Sequence, residues 1–127
     1  MREIAFRAWH RNRQRMFGVI SIDFSKKEIS GVMNHQTEEV FPWDACDLMQ
    51  YTGLRDMKGQ PIYEGDIVDD THGRIGIQQS TRVVRWNEEE VAFGLYDDKN
   101  RQIWWKPHLF EVIGNIYENR SLLSRAR

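Results

Sequence analysis

Glu64, Asp66, Asp69, Asp70 and His72 form the densest group of possible metal ligands in the chain. Carboxylate oxygens gathered on one loop are what a hard cation takes. The spacing does not match the EF-hand pattern, however. Glu64-Gly65-Asp66 runs straight into Ile67-Val68, which reads as a tight turn feeding an apolar strand. Asp66, Asp69 and Asp70 are therefore weak metal candidates, and no cofactor is expected. A second group is basic: Arg7, Arg11, Arg13 and Arg15 surround Trp9, with Lys26 and Lys27 further on. Cations interleaved with an aromatic ring suit single-stranded nucleic acid, where stacking contributes about 1–3 kcal/mol per base. The competing reading is a solvated hairpin loop with Trp9 packed on the neighbouring module. Near-neutral chains seldom bind nucleic acid by bulk charge, which favours that reading.

A third group is aromatic. Trp104 and Trp105 are adjacent, so on a strand they point to opposite faces. One enters the core; the other lies outside it unless a second layer covers it. Trp and Tyr are enriched where proteins bind one another. Trp105, Trp86, Tyr96, Tyr51 and Tyr63 are accordingly the candidate partner-binding residues. Motifs that carry a reaction are missing: there is no phosphate-binding loop ending in Gly-Lys-Ser/Thr, no His-Glu-x-x-His and no Gly-x-Ser-x-Gly. The single cysteine, Cys46, has no second cysteine for a disulfide and reads as buried filler. His10, His35 and His108 are scattered singly. No catalytic residues are assigned, and an enzyme is not expected.

The elements that must position these groups are mostly strands. Of the 127 residues 40% are hydrophobic and 12% aromatic, enough for a core. No run reaches the roughly 18 apolar residues of a membrane span, and no secretory signal is visible, so a cytosolic setting is expected. The formal net charge of −1 conceals a basic start (seven Lys/Arg and two acids in residues 1–27) and an acidic stretch (two and ten in residues 28–70). Such halves attract one another within a fold as readily as they orient a charged partner.

Residues 3–9 alternate with a period of two, a strand with Ile4, Phe6 and Ala8 on one face and Ala5, Arg7 and Trp9 on the other. The polar run 10–15 is a hairpin loop, residues 16–22 the return strand, and 23–27 another turn. Residues 28–33 and 37–41 are short strands, ended by Pro42. Residues 43–49 suit either a helical turn or a twisted strand. Beyond a boundary at about 55–61 come five strands: one opening at Ile67-Val68, one over 74–86 bent at Gly76, then 91–96, 101–106 and 111–117. A 3₁₀ turn fits residues 107–110, and Asn119 is placed to cap a final helix over 120–126. The fold class is mostly β. An N-terminal β-meander (1–55) packs on a C-terminal SH3-like five-stranded barrel (61–118), with few short helical turns, in a single domain. Barrel closure would remove exposed sheet edges. Spare edges and aromatics leave self-association open.

Three blocks carry a family resemblance. They are Arg2-Glu-Ile-Ala-Phe-Arg-Ala-Trp9 with its basic loop; Leu48-Met-Gln-Tyr-Thr-Gly-Leu54 with Gly59 and Ile62-Tyr-Glu-Gly-Asp-Ile-Val68; and Glu111-Val-Ile-Gly-Asn-Ile-Tyr-Glu-Asn119. In this order, over nearly the whole chain, they resemble the YopX family of small proteins encoded mainly by bacteriophages and prophages. The resemblance implies an intracellular, mostly-β accessory protein and no particular activity. The expected role is a binding module for a host or phage protein. The runner-up is a nucleic-acid-binding module using Arg7, Trp9, Arg11, Arg13 and Arg15.

Overall fold

Several hairpin loops among the described residues are each closed by a polar side chain at the entry. At the first, His10 Nδ1 accepts the Arg13 N–H at 3.1 Å, and Gln14 turns the chain with φ of 55°. At the second, Asp23 Oδ1 accepts the N–H groups of Ser25 and Lys26, each at 3.0 Å, and Lys27 has φ of 58°. At the third, Asn87 Oδ1 accepts those of Glu89 (2.9 Å) and Glu90 (3.1 Å), and Val91 has φ of 54°. An acceptor followed four residues on by a left-handed residue matches the right-handed twist of the flanking strands. The loops at Asp56 and Asp97 use a different pattern described below.

The computed structural model describes residues 2–34, 37–69, 81–97, 99–103 and 109–124. The strands are β1 (Phe6–His10), β2 (Arg15–Asp23), β3 (Glu28–Val32), β4 (Glu39–Pro42), β5 (Cys46–Arg55), β6 (Pro61–Tyr63), β7 (Asp66–Asp69), β8 (Thr81–Asn87), β9 (Ala92–Tyr96), β10 (Gln102–Ile103) and β11 (Glu111–Asn115). All described pairings are antiparallel. They make a six-stranded sheet, β4-β3-β2-β1-β5-β6, and a five-stranded sheet, β10-β9-β8-β7-β11. The chain divides into two units, Met1–Tyr51 and Thr52–Arg127, and β5 runs through the division.

In the first unit, Ala8 sits opposite Phe17 on β2 and Leu48 on β5. That face gathers Ala8, Phe17, Ile29, Met33, Phe41 and Cys46 into one core. Its rings interlock: Phe41 lies 5.3 Å from Phe17 and 4.9 Å, edge-on, from His10. Phe17 fits because residue 31 has no side chain, since a Cβ there would stand 2.3 Å from its ring. The ambiguous stretch 43–49 resolves into both alternatives in series, a 3₁₀ turn at Trp43–Ala45 followed at once by β5.

In the second unit, Val68, Val84, Leu95, Phe110 and Ile62 form the core, with Val112 packed against them. In its sheet β11 returns beside β7. No pairing joins β10 to β11 among the described strands, so a closed barrel is not part of the described fold. The first part of the strand expected at 74–86, the Trp104–Trp105 pair and residues 107–108 lie outside the described residues. Asn119 departs from its expected role as a helix cap. Its side-chain oxygen accepts the Asn115 N–H at 3.1 Å, while its backbone carbonyl takes Leu122 N–H, and the helix α1 is one turn, Ser121–Ser124. The backward bond closes the turn after β11, leaving the short helix without a side-chain cap from this residue.

Candidate functional site

The hairpin β8–β9 places two aromatic groups on its two faces. Val83 pairs with Tyr96, Val84 with Leu95, Arg85 with Gly94 and Trp86 with Phe93, without a register shift. Side chains alternate along a strand, so Trp86 shares the face of Val84 and Leu95, and Tyr96 shares the opposite face with Val83 and Arg85. Val84 and Leu95 are fully buried, whereas Trp86 is 43% exposed. The core row therefore continues past the end of the core into solvent. There the Trp86 ring meets the half-buried Phe93 ring edge-on, with centroids 5.1 Å apart and planes at 73°. This is a favourable aromatic geometry that holds both rings in place.

On the other face the Arg85 guanidinium lies 5.8 Å from the Tyr96 ring centroid and donates to Asn100 Oδ1. Tyr96 leans over Gly94, where an added Cβ would come within 3.3 Å of its ring. Asn87 donates to Gln102 Oε1 and Gln102 donates to Glu90 Oε2, both at 3.2 Å, tying the hairpin loop to β10. Trp86 and Tyr96 thus belong to one hairpin but not to one surface. Tyr51 is buried, with its N–H given to the Ala5 carbonyl at 2.9 Å. Tyr63 is half-buried, and its N–H goes to Asp66 Oδ2 at 2.7 Å. Trp105 lies outside the described residues.

The basic group is largely occupied within its own unit. Arg11 pairs with Asp47 at 2.6 Å and donates to the Asp44 carbonyl. Arg13 pairs with Glu39 at 3.0 Å, its guanidinium 5.1 Å from the Phe41 ring centroid. Arg15 donates to Asn34 Oδ1 at 2.9 Å, and Arg7 Nε to Met49 Sδ at 3.4 Å. Trp9 is buried on the face it shares with Arg7, opposite Met16 and Asp47. A ring held there is not displayed for stacking on a base. The acidic partners lie 36 and 26 residues along the chain from Arg11 and Arg13, which is why sequence spacing alone does not show the pairing.

Of the metal candidates, Asp66 is drawn into a turn. Asp66 is fully buried, and its carboxylate accepts the Tyr63 N–H across the Glu64-Gly65 turn. Gly65 has φ of 86°, its N–H goes to the Val84 carbonyl at 2.8 Å, and its own carbonyl takes the Ile116 N–H at 3.0 Å. A left-handed glycine wedged between two strands explains Glu64-Gly65-Asp66 as backbone shape. Asp69 pairs with Thr81 and Glu111 in the sheet, and Asp70 and His72 lie outside the described residues. No group of three His, Cys, Asp or Glu side chains able to hold a metal is found among the described residues. Burial pushes the Cys46 thiol up from its ordinary pKa, against the pull of Arg11, as suits a packing residue.

Two features go beyond the turns expected at residues 55–59, 87–89 and 97–100. Val91, 70% exposed, stands at the hairpin tip with a left-handed backbone. The acceptor-to-left-handed spacing of Asn87–Val91 repeats that of Asp23–Lys27, a signal present in the sequence. The other is the loop Asp56-Met-Lys-Gly-Gln60, whose pattern recurs at Asp97-Asp-Lys-Asn-Arg101. In each, Oδ1 of the first residue accepts the N–H groups of the third and fifth: 2.9 and 2.8 Å for Asp56, 3.0 and 2.8 Å for Asp97. In each, the fourth residue is left-handed, Gly59 at 82° and Asn100 at 61°.

Two antiparallel sheets define a small, mostly-β protein. The chain belongs to the YopX family, whose model, described as YopX protein, matches residues 5–124. Its fold is similar to that in the crystal structure of protein EF1440 from Enterococcus faecalis. That likeness has a TM-score of 0.66 at 24% sequence identity and covers 97% of this chain and 99% of that one. No curated protein matches. No helix among the described residues is long and apolar enough to cross a membrane.

Proposed function

We propose that this chain is a small, non-catalytic binding module that contacts a protein partner through the β8–β9 hairpin. The observation that carries the reading is Trp86, a core-row side chain that runs out of the core and is held edge-on to Phe93 while still 43% exposed. Rigid aromatic side chains lose little conformational entropy on binding and supply much of the energy at protein interfaces. The family suggests a phage or prophage accessory protein working in the host cytoplasm on a host or phage protein. The strand order β11-β7-β8-β9-β10 supports an SH3-like plan for the second unit. The nucleic-acid reading is weaker, because Arg11 and Arg13 already have carboxylate partners and Trp9 is buried.

The test is affinity capture from induced lysogens with the wild-type chain and Trp86→Ala in parallel. A protein retained by wild type and lost by the folded variant supports the reading. Equal retention by both, or retention of nucleic acid alone, overturns it.

A further inference from the structure

We infer that the partner docks on the hairpin tip with an apolar anchor flanked by basic residues. This inference rests on the reading that the hairpin binds a protein, and it adds the partner's chemistry. The tip joins two features. Trp86, Val91 and Phe93 supply apolar surface, with Trp86 43% and Val91 70% exposed. Between Asn87 and Val91 stand three consecutive exposed carboxylates, Glu88, Glu89 and Glu90. Tip-to-tip pairing with a second copy of this chain is disfavoured, since it would bring like charges together. Lys or Arg beside an aromatic or branched aliphatic side chain satisfies both features, through charge complementarity that also speeds association.

The tip is also preorganised. Asn87 Oδ1 fixes the Glu89 and Glu90 N–H groups, and the Asn87–Gln102–Glu90 chain of hydrogen bonds ties the loop to β10. A fixed loop avoids part of the ordering cost of binding. Val91 adds to this. A β-branched residue with φ of 54° is a genuine backbone outlier, yet here it is displayed to solvent instead of being replaced by Gly or Asn. Strain of this kind points to function when, as here, the hydrogen bonds around it over-determine the loop.

A random peptide library displayed on phage and selected against the full-length chain tests this, with parallel selections against Trp86→Ala and the double variant Glu88→Gln/Glu89→Gln. The expected result is peptides in which Lys or Arg flanks an aromatic or aliphatic residue, none of them enriched on Trp86→Ala. Their affinity for the double variant should fall by roughly threefold to tenfold at low salt, as two exposed ion pairs allow, and the difference should shrink at high salt. Trp86-dependent peptides with no basic preference would overturn the partner class and leave the binding module standing. Absence of any Trp86-dependent peptide would count against both. Concentration-dependent dimerisation in light scattering that Trp86→Ala abolishes would make the occupant a second copy and also overturn the inference.

Discussion

The Asp56 carboxylate accepts the backbone N–H of Val112 at 2.9 Å, across 56 residues of sequence. The same buried carboxylate holds its own loop through Lys58 and Gln60, so one side chain stitches a hairpin loop to the last strand. The seam is reinforced by the Met57 N–H given to the Phe110 carbonyl at 2.9 Å and by a Lys58–Glu111 ion pair at 2.8 Å. That ion pair also raises the Lys58 ammonium pKa, chiefly through its hydrogen bond to Glu111.

The two twin loops should respond differently to one substitution. In Asp56→Asn the amide oxygen can keep Lys58 and Gln60, but the amide nitrogen then faces the Val112 N–H, donor against donor. The expected loss is roughly 1–3 kcal/mol, with Val112 losing hydrogen-exchange protection. In Asp97→Asn the oxygen again keeps both loop N–H groups, and only the link to the Arg101 side chain, itself 70% exposed, is lost. Urea denaturation of the two variants should show a clearly smaller loss for Asp97→Asn. Equal losses would contradict the role given to Val112.

Gly31→Ala should destabilise the first unit by roughly 1–3 kcal/mol, the usual range for overpacking. The new methyl would stand 2.3 Å from the Phe17 ring and 2.6 Å from the Gly18 carbonyl, and the backbone oxygen cannot turn away. Gly18→Ala, on the paired strand with nothing within 4 Å, is the control and should change little. Thermal melts of the two variants decide the point.

Acid should loosen two hairpin loops. Asp23 is held below its ordinary value of 3.8 chiefly by the Lys26 N–H, and Asp97 chiefly by the Arg101 N–H. A depressed folded-state pKa contributes stability that is present above about pH 4 and is lost as pH falls through the folded value. Amide exchange or NMR shifts of Ser25, Lys26, Lys99 and Arg101 should therefore change together below pH 4. Asp97→Asn should remove the pH dependence from its own loop and leave that at Asp23 intact.

Val91→Asn should stabilise the chain by roughly 0.5–1 kcal/mol, since Asn tolerates the left-handed region that a β-branched residue resists. The same variant should bind tip-directed peptides more weakly, because it removes an exposed apolar contact. A stability gain with unchanged binding would exclude Val91 from the docking surface.

The parts of the fold visible in sequence were those fixed by near neighbours. The loop 10–15, the turn 23–27 and the entry Glu64-Gly65-Asp66 follow from polar acceptors and glycine a few residues apart, and alternation through Phe6, Ala8 and Trp9 identified β1 and its faces. Residues 43–49 were ambiguous because a 3₁₀ turn and a strand abut at Ala45–Cys46 with no glycine or proline between them. The candidate site was harder to read for a different reason. Register decides whether Trp86 and Tyr96 share a face, and burial decides whether Trp9 or Tyr51 is available. Both depend on strands distant in sequence. The neutralisation of Arg11 by Asp47 and of Arg13 by Glu39 is likewise a tertiary fact.

The most direct test of the account is the interaction lost with one ring. Trp86→Ala, checked by circular dichroism to retain its strands, should fail to capture the protein that the wild-type chain retains from induced lysogens. Tyr96→Ala, on the opposite face of the same hairpin, should still capture it. Retention by Trp86→Ala at the wild-type level would contradict the assignment of this hairpin face as the binding surface.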